Sequence, residues 1–158
     1  MGNDIDGEAE VDYSGHSVGI SADGKRVIVG APLNGEYGTY AGHARIYEEN
    51  NGIWIQMGKD LDGEAAYDLS GYSVGISADG KRVIGEAPYK NINGLYSVGH
   101  ARIYEEKGGS WTQVGKDLHG EDACDNSGHS VGMSADGRQA GDYRGSKQWW
   151  KWRWSGTC

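Results

Sequence analysis

Four acids, Asp60, Asp62, Glu64 and Asp68, fall within one short polar stretch of the chain. Carboxylates this close together can hold a hard cation such as calcium through oxygen ligands. They can also divide the roles of acid and base in hydrolysis. The same set recurs as Asp4, Asp6, Glu8 and Asp12, and again as Asp117, Glu121 and Asp125, with His119 in place of the second Asp. A catalytic constellation is normally unique in a chain, whereas these acids return with every copy. Hydrolysis is therefore set aside: no catalytic residue and no enzyme is expected. The preferred reading is that the acids accept backbone N–H bonds and cap turns in a loop that repeats. Calcium is the one cofactor the set would take, as a weak site at Asp60, Asp62, Glu64 and Asp68.

The other reactive side chains also occupy repeat slots. His43 and His100 share one slot, and His16 and His129 share another with Tyr72. A metal ligand does not exchange with Tyr, so these are read as packing or turn residues. Ser14, Ser17 and the histidines form no Ser-His-Asp set that stands apart from the repeat. Trp54 and Trp111 are expected to pack between repeats, with sugar stacking as the functional alternative. Tyr37, Tyr40, Tyr89 and Tyr96 lie in the variable loop of each repeat. Loops on a rigid scaffold carry binding function, so these four tyrosines are the candidate binding residues.

The elements that must position these groups repeat as well. Ser14, Ser70 and Ser127 open three copies of one segment, spaced 56 and 57 residues apart: SGHSVGISADGKRVIVGAP, SGYSVGISADGKRVIGEAP and SGHSVGMSADGR. Self-similarity at this period marks a solenoid or propeller. Each repeat offers four strand segments, in the first copy His16–Ser21, Arg26–Ala31, Gly42–Glu48 and Ile53–Lys59. Val18 and Ile20 alternate with polar neighbours, and Ala44 and Ile46 face opposite to His43, Arg45 and Tyr47. Asp23-Gly24 is expected to make a tight hairpin with positive φ at both residues. Asp60–Ser70 is read as a loop into the next repeat. No window has helical periodicity. The expected fold is all-β: a partial β-propeller of four-stranded blades, about two and a half repeats long. Its segments are a truncated blade end and linker at 1–13, blades at 14–69 and 70–126, the start of a third at 127–138, and an aberrant tail at 139–158.

Glycine is abundant, at 28 residues, and proline scarce, at 2, as short strands with tight turns require. The net charge is −8. From Arg138 onward five basic residues stand against one acid, so the preceding body carries −12. A body this acidic repels nucleic-acid phosphates and anionic membranes. No stretch is apolar enough to span a bilayer, and two cysteines are too few for a disulfide framework. The N-terminus has no basic-then-apolar secretory pattern, and Asp6 stands where myristoylation needs Ser or Thr.

Gly-Tyr-Ser-Val at 71–74 and Val29-Gly30-Ala31-Pro32 at the end of the first hairpin resemble the FG-GAP repeats of integrin α-chain propellers. Gly-His-Ala-Arg-Ile-Tyr at 42–47 and 99–104 is similar to that family's Gly-x-Val/Ala-x-Val-Tyr strand. The likeness covers residues 1 to about 138. It implies a cell-surface or extracellular binding module whose partner is a protein or a glycan. Ser14, Ser70 and Ser127 replace the family's Phe, and the second copy has Gly85-Glu86-Ala87-Pro88. Many blades of that family also carry an Asp-x-Asp-x-Asp-Gly calcium loop. The corresponding loops here, Ser21–Gly24, Ser77–Gly80 and Ser134–Gly137, have one carboxylate each. Calcium wants roughly six to eight oxygen ligands, so they are read as plain hairpins.

Both ends look like cuts through a repeat. Met1–Glu8 aligns with Met57–Glu64, so Met1 is expected to be an internal methionine of a longer array. After Arg138 the sequence reads QAGDYRGSKQWWKWRWSGTC, with Trp149, Trp150, Trp152 and Trp154. Read one base later, each Trp codon becomes a Gly codon, and the tail can recover the Gly-His of the repeat. The tail is therefore expected to be a frameshifted third repeat that does not complete its blade. Two and a half blades do not close a ring of roughly four to eight, and open blade edges are expected to promote self-association.

Overall fold

The computed structural model of the protein describes residues 3–138 and 140–142. All eleven elements are strands: β1 Ser17–Ile20, β2 Arg26–Ala31, β3 His43–Asn50, β4 Ile53–Gln56, β5 Leu61–Asp62, β6 Val74–Ile76, β7 Arg82–Ala87, β8 His100–Lys107, β9 Ser110–His119, β10 Val131–Met133 and β11 Ala140–Asp142. There is no helix among the described residues. β1 to β4 form an antiparallel meander, with β5 also on β3; β6 to β9 form a second, and β10 and β11 a two-stranded hairpin. The two larger sheets each fall within one sequence repeat, and the hairpin lies in the third copy. The sheets are open.

The β1–β2 turn differs from the expected one. Gly24 takes φ +71°, but Asp23 is not in the positive-φ region. Gly24 N–H donates to the Ser21 carbonyl (3.0 Å), and Asp23 Oδ1 accepts from Ser21 Oγ (2.7 Å) and Lys25 N–H (3.0 Å). The Asp side chain folds back on its own turn, so only the glycine needs the left-handed conformation. Asp79 and Asp136 repeat the Ser-Oγ contact at 2.7 Å.

The fourth strand of the first repeat stops at Gln56, short of the expected Lys59, and a separate short strand follows it. Leu61 and Asp62, read as loop, pair with Ala44 and His43. In the second repeat β9 continues unbroken to His119, with a register irregularity between Ala101 and Ile103.

Residues 140–142 also require a correction. Assigned to the aberrant tail, they pair with β10, Val131 opposite Asp142. Val18 pairs with Val29 and Val74 with Gly85 in the corresponding places, so the third hairpin keeps the register of the first two. Gln139 and residues 143–158, with the four tail tryptophans, lie outside the described residues.

The core sits between the first two sheets. Ile28, Ala44, Ile46 and Leu61 of the first repeat meet Val74 and Val83 of the second, with Met57, Ile76, Tyr104 and Trp111 at the margin. Trp111 does pack between repeats: its indole N–H donates to the Met57 carbonyl at 3.0 Å. The shared slot of His16, Tyr72 and His129 becomes a stack of rings across three repeats, with centroids 4.7 and 4.9 Å apart. Val18 and Ile20 alternate as expected, yet both are exposed. In the second repeat the same slots, Val74 and Ile76, are covered by the first repeat.

Candidate functional site

The acidic stretch that opens the sequence does not converge on one point. Asp60 accepts two hydrogen bonds from Arg45, at Nε (2.9 Å) and Nη2 (2.6 Å), and one from Gln56 (2.6 Å). Arg45 reaches across to Glu8 as well. One repeat on, Arg102 is held between Asp117 (2.6 Å) and Glu64 (2.7 Å). Lys90 joins Glu64 (3.1 Å) and the buried Asp68 (2.9 Å). Asp68 also accepts from Ala65 N–H, as Asp12 does from Ala9 N–H. Three of the four candidate acids are thus divided between two junctions, Asp60 at the first and Glu64 and Asp68 at the second, where each junction clamps a linker Glu to the following sheet through an arginine.

Asp62 stands apart. Its Oδ1 is buried without a hydrogen bond. Desolvation, reinforced by the Asp60 charge, pushes its carboxyl up to about 6. The carboxylates of Asp62 and Glu36 raise the Tyr37 hydroxyl above its usual range. Tyr37 is the one candidate tyrosine that does not line the cleft formed by the other three.

His43 lies 96% buried opposite Asp62. Its Nδ1 has no hydrogen bond and stands 3.9 Å from Asp60. Glu8, His43 and Asp60 form the one set of potential metal ligands found among the described residues, and it shares only Asp60 with the sequence-based set. Arg45 donates to both carboxylates of this set, so a cation already occupies the position a metal ion would take. Millimolar calcium is accordingly expected to move the thermal midpoint by no more than about 1 °C. A saturable rise of several degrees, lost in Asp62→Ala, would establish a calcium site.

The remaining candidates do meet. Tyr40, Tyr89 and Tyr96 line one open cleft of about 400 Å³, together with Tyr67, Leu33, Leu69, Asn91 and Ser97. Tyr40 and Tyr67 pack edge to face, centroids 5.9 Å apart. The cleft lies between the β2–β3 loop of the first repeat and the β7–β8 loop of the second. The linker between them carries Tyr67 and Leu69, which the sequence reading missed. Their amides donate to the carbonyls of Thr39 (2.8 Å) and Tyr40 (3.1 Å). Tyr67 and Leu69 take φ +67° and +55°, a conformation that costs a side-chain-bearing residue about 1–2 kcal/mol. Val11 and Tyr13, and Cys124 and Asn126, do the same in the neighbouring copies, so this geometry belongs to the repeat. Tyrosines suit such a place, since each offers an apolar ring for stacking and a hydroxyl for hydrogen bonding.

No family model matches the chain, and no curated protein matches it.

Proposed function

We propose that the chain is a non-catalytic binding module: a run of FG-GAP-like propeller blades from an integrin-α-like cell-surface or extracellular protein, whose tyrosine cleft receives a protein or glycan partner. The convergence of Tyr40, Tyr67, Tyr89 and Tyr96 carries this reading. Four rings delivered by two repeats and their linker give a rigid, apolar floor rimmed by hydroxyl and amide groups, as recognition surfaces do. The blade assignment is supported by the successive antiparallel meanders with their faces stacked. Catalysis is disfavoured because Asp60, Glu64 and Asp68 are each committed to a cationic partner.

The test is a binding screen of the 158-residue chain against an array of neutral oligosaccharides and a panel of basic and Tyr-rich peptides. Tyr89→Ala and Tyr96→Ala are each expected to weaken a retained probe about tenfold, the effect of losing roughly 1.4 kcal/mol of contact. Tyr37→Ala should leave it unchanged. Binding that is lost with Tyr37→Ala and kept in the two cleft variants would overturn the assignment.

A further inference from the structure

Each repeat docks on the one before it through the same contacts. Ala22 N–H donates to the Ala78 carbonyl and Ala78 N–H to the Ala135 carbonyl, both at 2.9 Å. Ser17 Oγ accepts from Val74 N–H (3.0 Å), and Ser73 Oγ from Val131 N–H (3.1 Å). Ile76 seats over Gly19 and Met133 over Gly75, where an added Cβ would touch them at 3.2 and 3.8 Å.

The two ends of this series present complementary halves of the same contact. At one end, Val18 and Ile20 are 66% and 62% exposed and, with Ile5, Val27 and Val29, line an apolar depression of about 470 Å³. Their counterparts Val74 and Ile76 are packed into the core. At the other end, Gly132 is exposed, and none of the described residues lies within 4 Å of the place where its Cβ would stand. Gly132 occupies the slot of Gly19 and Gly75, Ser130 that of Ser17 and Ser73, and Ala135 that of Ala22 and Ala78.

We infer that two copies of the chain associate head to tail, the Val18–Ile20 face of one covering the Gly132 face of the other. In this register Ile20 seats over Gly132, Val18 N–H donates to Ser130 Oγ, and Ala135 N–H donates to the Ala22 carbonyl. The occupant is indicated by the chain's own packing, since among the described residues Val74 and Ile76 are covered by the matching face of the preceding repeat. The contact is heterologous, so it propagates and does not stop at a two-fold dimer. It is made by β1 of one copy and β10 of the other, each a border strand of its sheet, whereas β4 and β9 are the opposite borders.

Sedimentation velocity of the 158-residue chain at about 0.15 M salt, where charge repulsion between acidic copies is screened, decides the matter. The unmodified chain is expected to show a sedimentation coefficient that rises with concentration. Ile20→Glu, at an exposed side chain, and Gly132→Glu, at an open position, each block one face; each alone should stay monomeric with unchanged far-UV circular dichroism. Mixed in equal amounts they keep one good face apiece and should form dimers that grow no further. Val18→Glu repeats the first arm on the same face. A monomeric unmodified chain overturns the inference. So does a mixture that remains monomeric, or a Gly132→Glu chain that still self-associates, which would mean that the Val18–Ile20 face pairs with itself.

Discussion

Lowering the pH from 7 to 4 is expected to remove about 3 kcal/mol of stability through His100 alone. The imidazole is 95% buried in β8. Desolvation first, then the Arg102 charge, pulls it down to about 4 from 6.5, against the opposing charges of Asp117 and Glu64. In the unfolded chain it takes a proton near pH 6.5; in the fold only near pH 4. Between those values the unfolded chain holds the extra proton, so the contribution is complete above pH 6.5 and drains away towards pH 4. His43, shifted in the same direction by its own burial, adds to the effect. Asp62 works against it. Its carboxyl titrates at about 6 in the fold, well above its unfolded value, so protonating it on the way down favours the fold. Asp117, held at about 2 by Arg102, stays charged throughout. Urea denaturation between pH 4 and 7 should therefore give a steep loss of stability for the unmodified chain, a flatter profile for His100→Gln, and a steeper one for Asp62→Asn. A profile unchanged by His100→Gln would refute the assignment.

A single methyl group at residue 30 is expected to cost nearly as much, about 2–3 kcal/mol. Gly30 in β2 faces the backbone of Gly71 at the start of the second repeat, and a Cβ there would penetrate the Gly71 carbonyl. Gly71 in turn lies against the His43 carbonyl. Backbone stands on both sides of this contact, so no rotamer can relieve it, and the two sheets must separate. Gly85, also in a strand and also without positive φ, has open space where its Cβ would stand. Gly85→Ala should be neutral or slightly stabilising, by restricting the unfolded chain. Equal thermal midpoints for Gly30→Ala and Gly85→Ala would show that the sheets do not meet as described.

The strands were legible where one sheet explains them. Arg26–Ala31 is read correctly to the residue because its hydrophobic run ends at a Pro and follows a capped turn. Ala44 and Ile46 point to the core because alternation along one strand suffices to place them. The failures come where a second repeat decides. Leu61-Asp62 looks like loop, since its apolar member is single and its role is set by β3 beside it. Val18 and Ile20 carry the pattern of buried residues because that slot is buried in the following copy. Tyr67 and Leu69 join the tyrosine cleft through backbone bonds to Thr39 and Tyr40 that leave no mark on side-chain identity. Glu64, in the linker, finds Arg102 in the third strand of the following sheet, and nothing in the local spacing of either reveals the partner. Three of the four candidate tyrosines share a cleft because loops in equivalent repeat positions emerge on the same side of the stack.

The ladder from Ala22 through Ala78 to Ala135 has a consequence for how such a chain can change length. Every rung is made between neighbours, by groups that each copy supplies in the same order, so no rung depends on how many others exist. Stability then behaves as a sum over adjacent pairs. A duplicated segment inserted at Ser70 would exchange the one junction between the first two sheets for two junctions of the same kind. While the array stays open, the repeat number is therefore a variable that selection can lengthen or shorten by recombination without first redesigning a core.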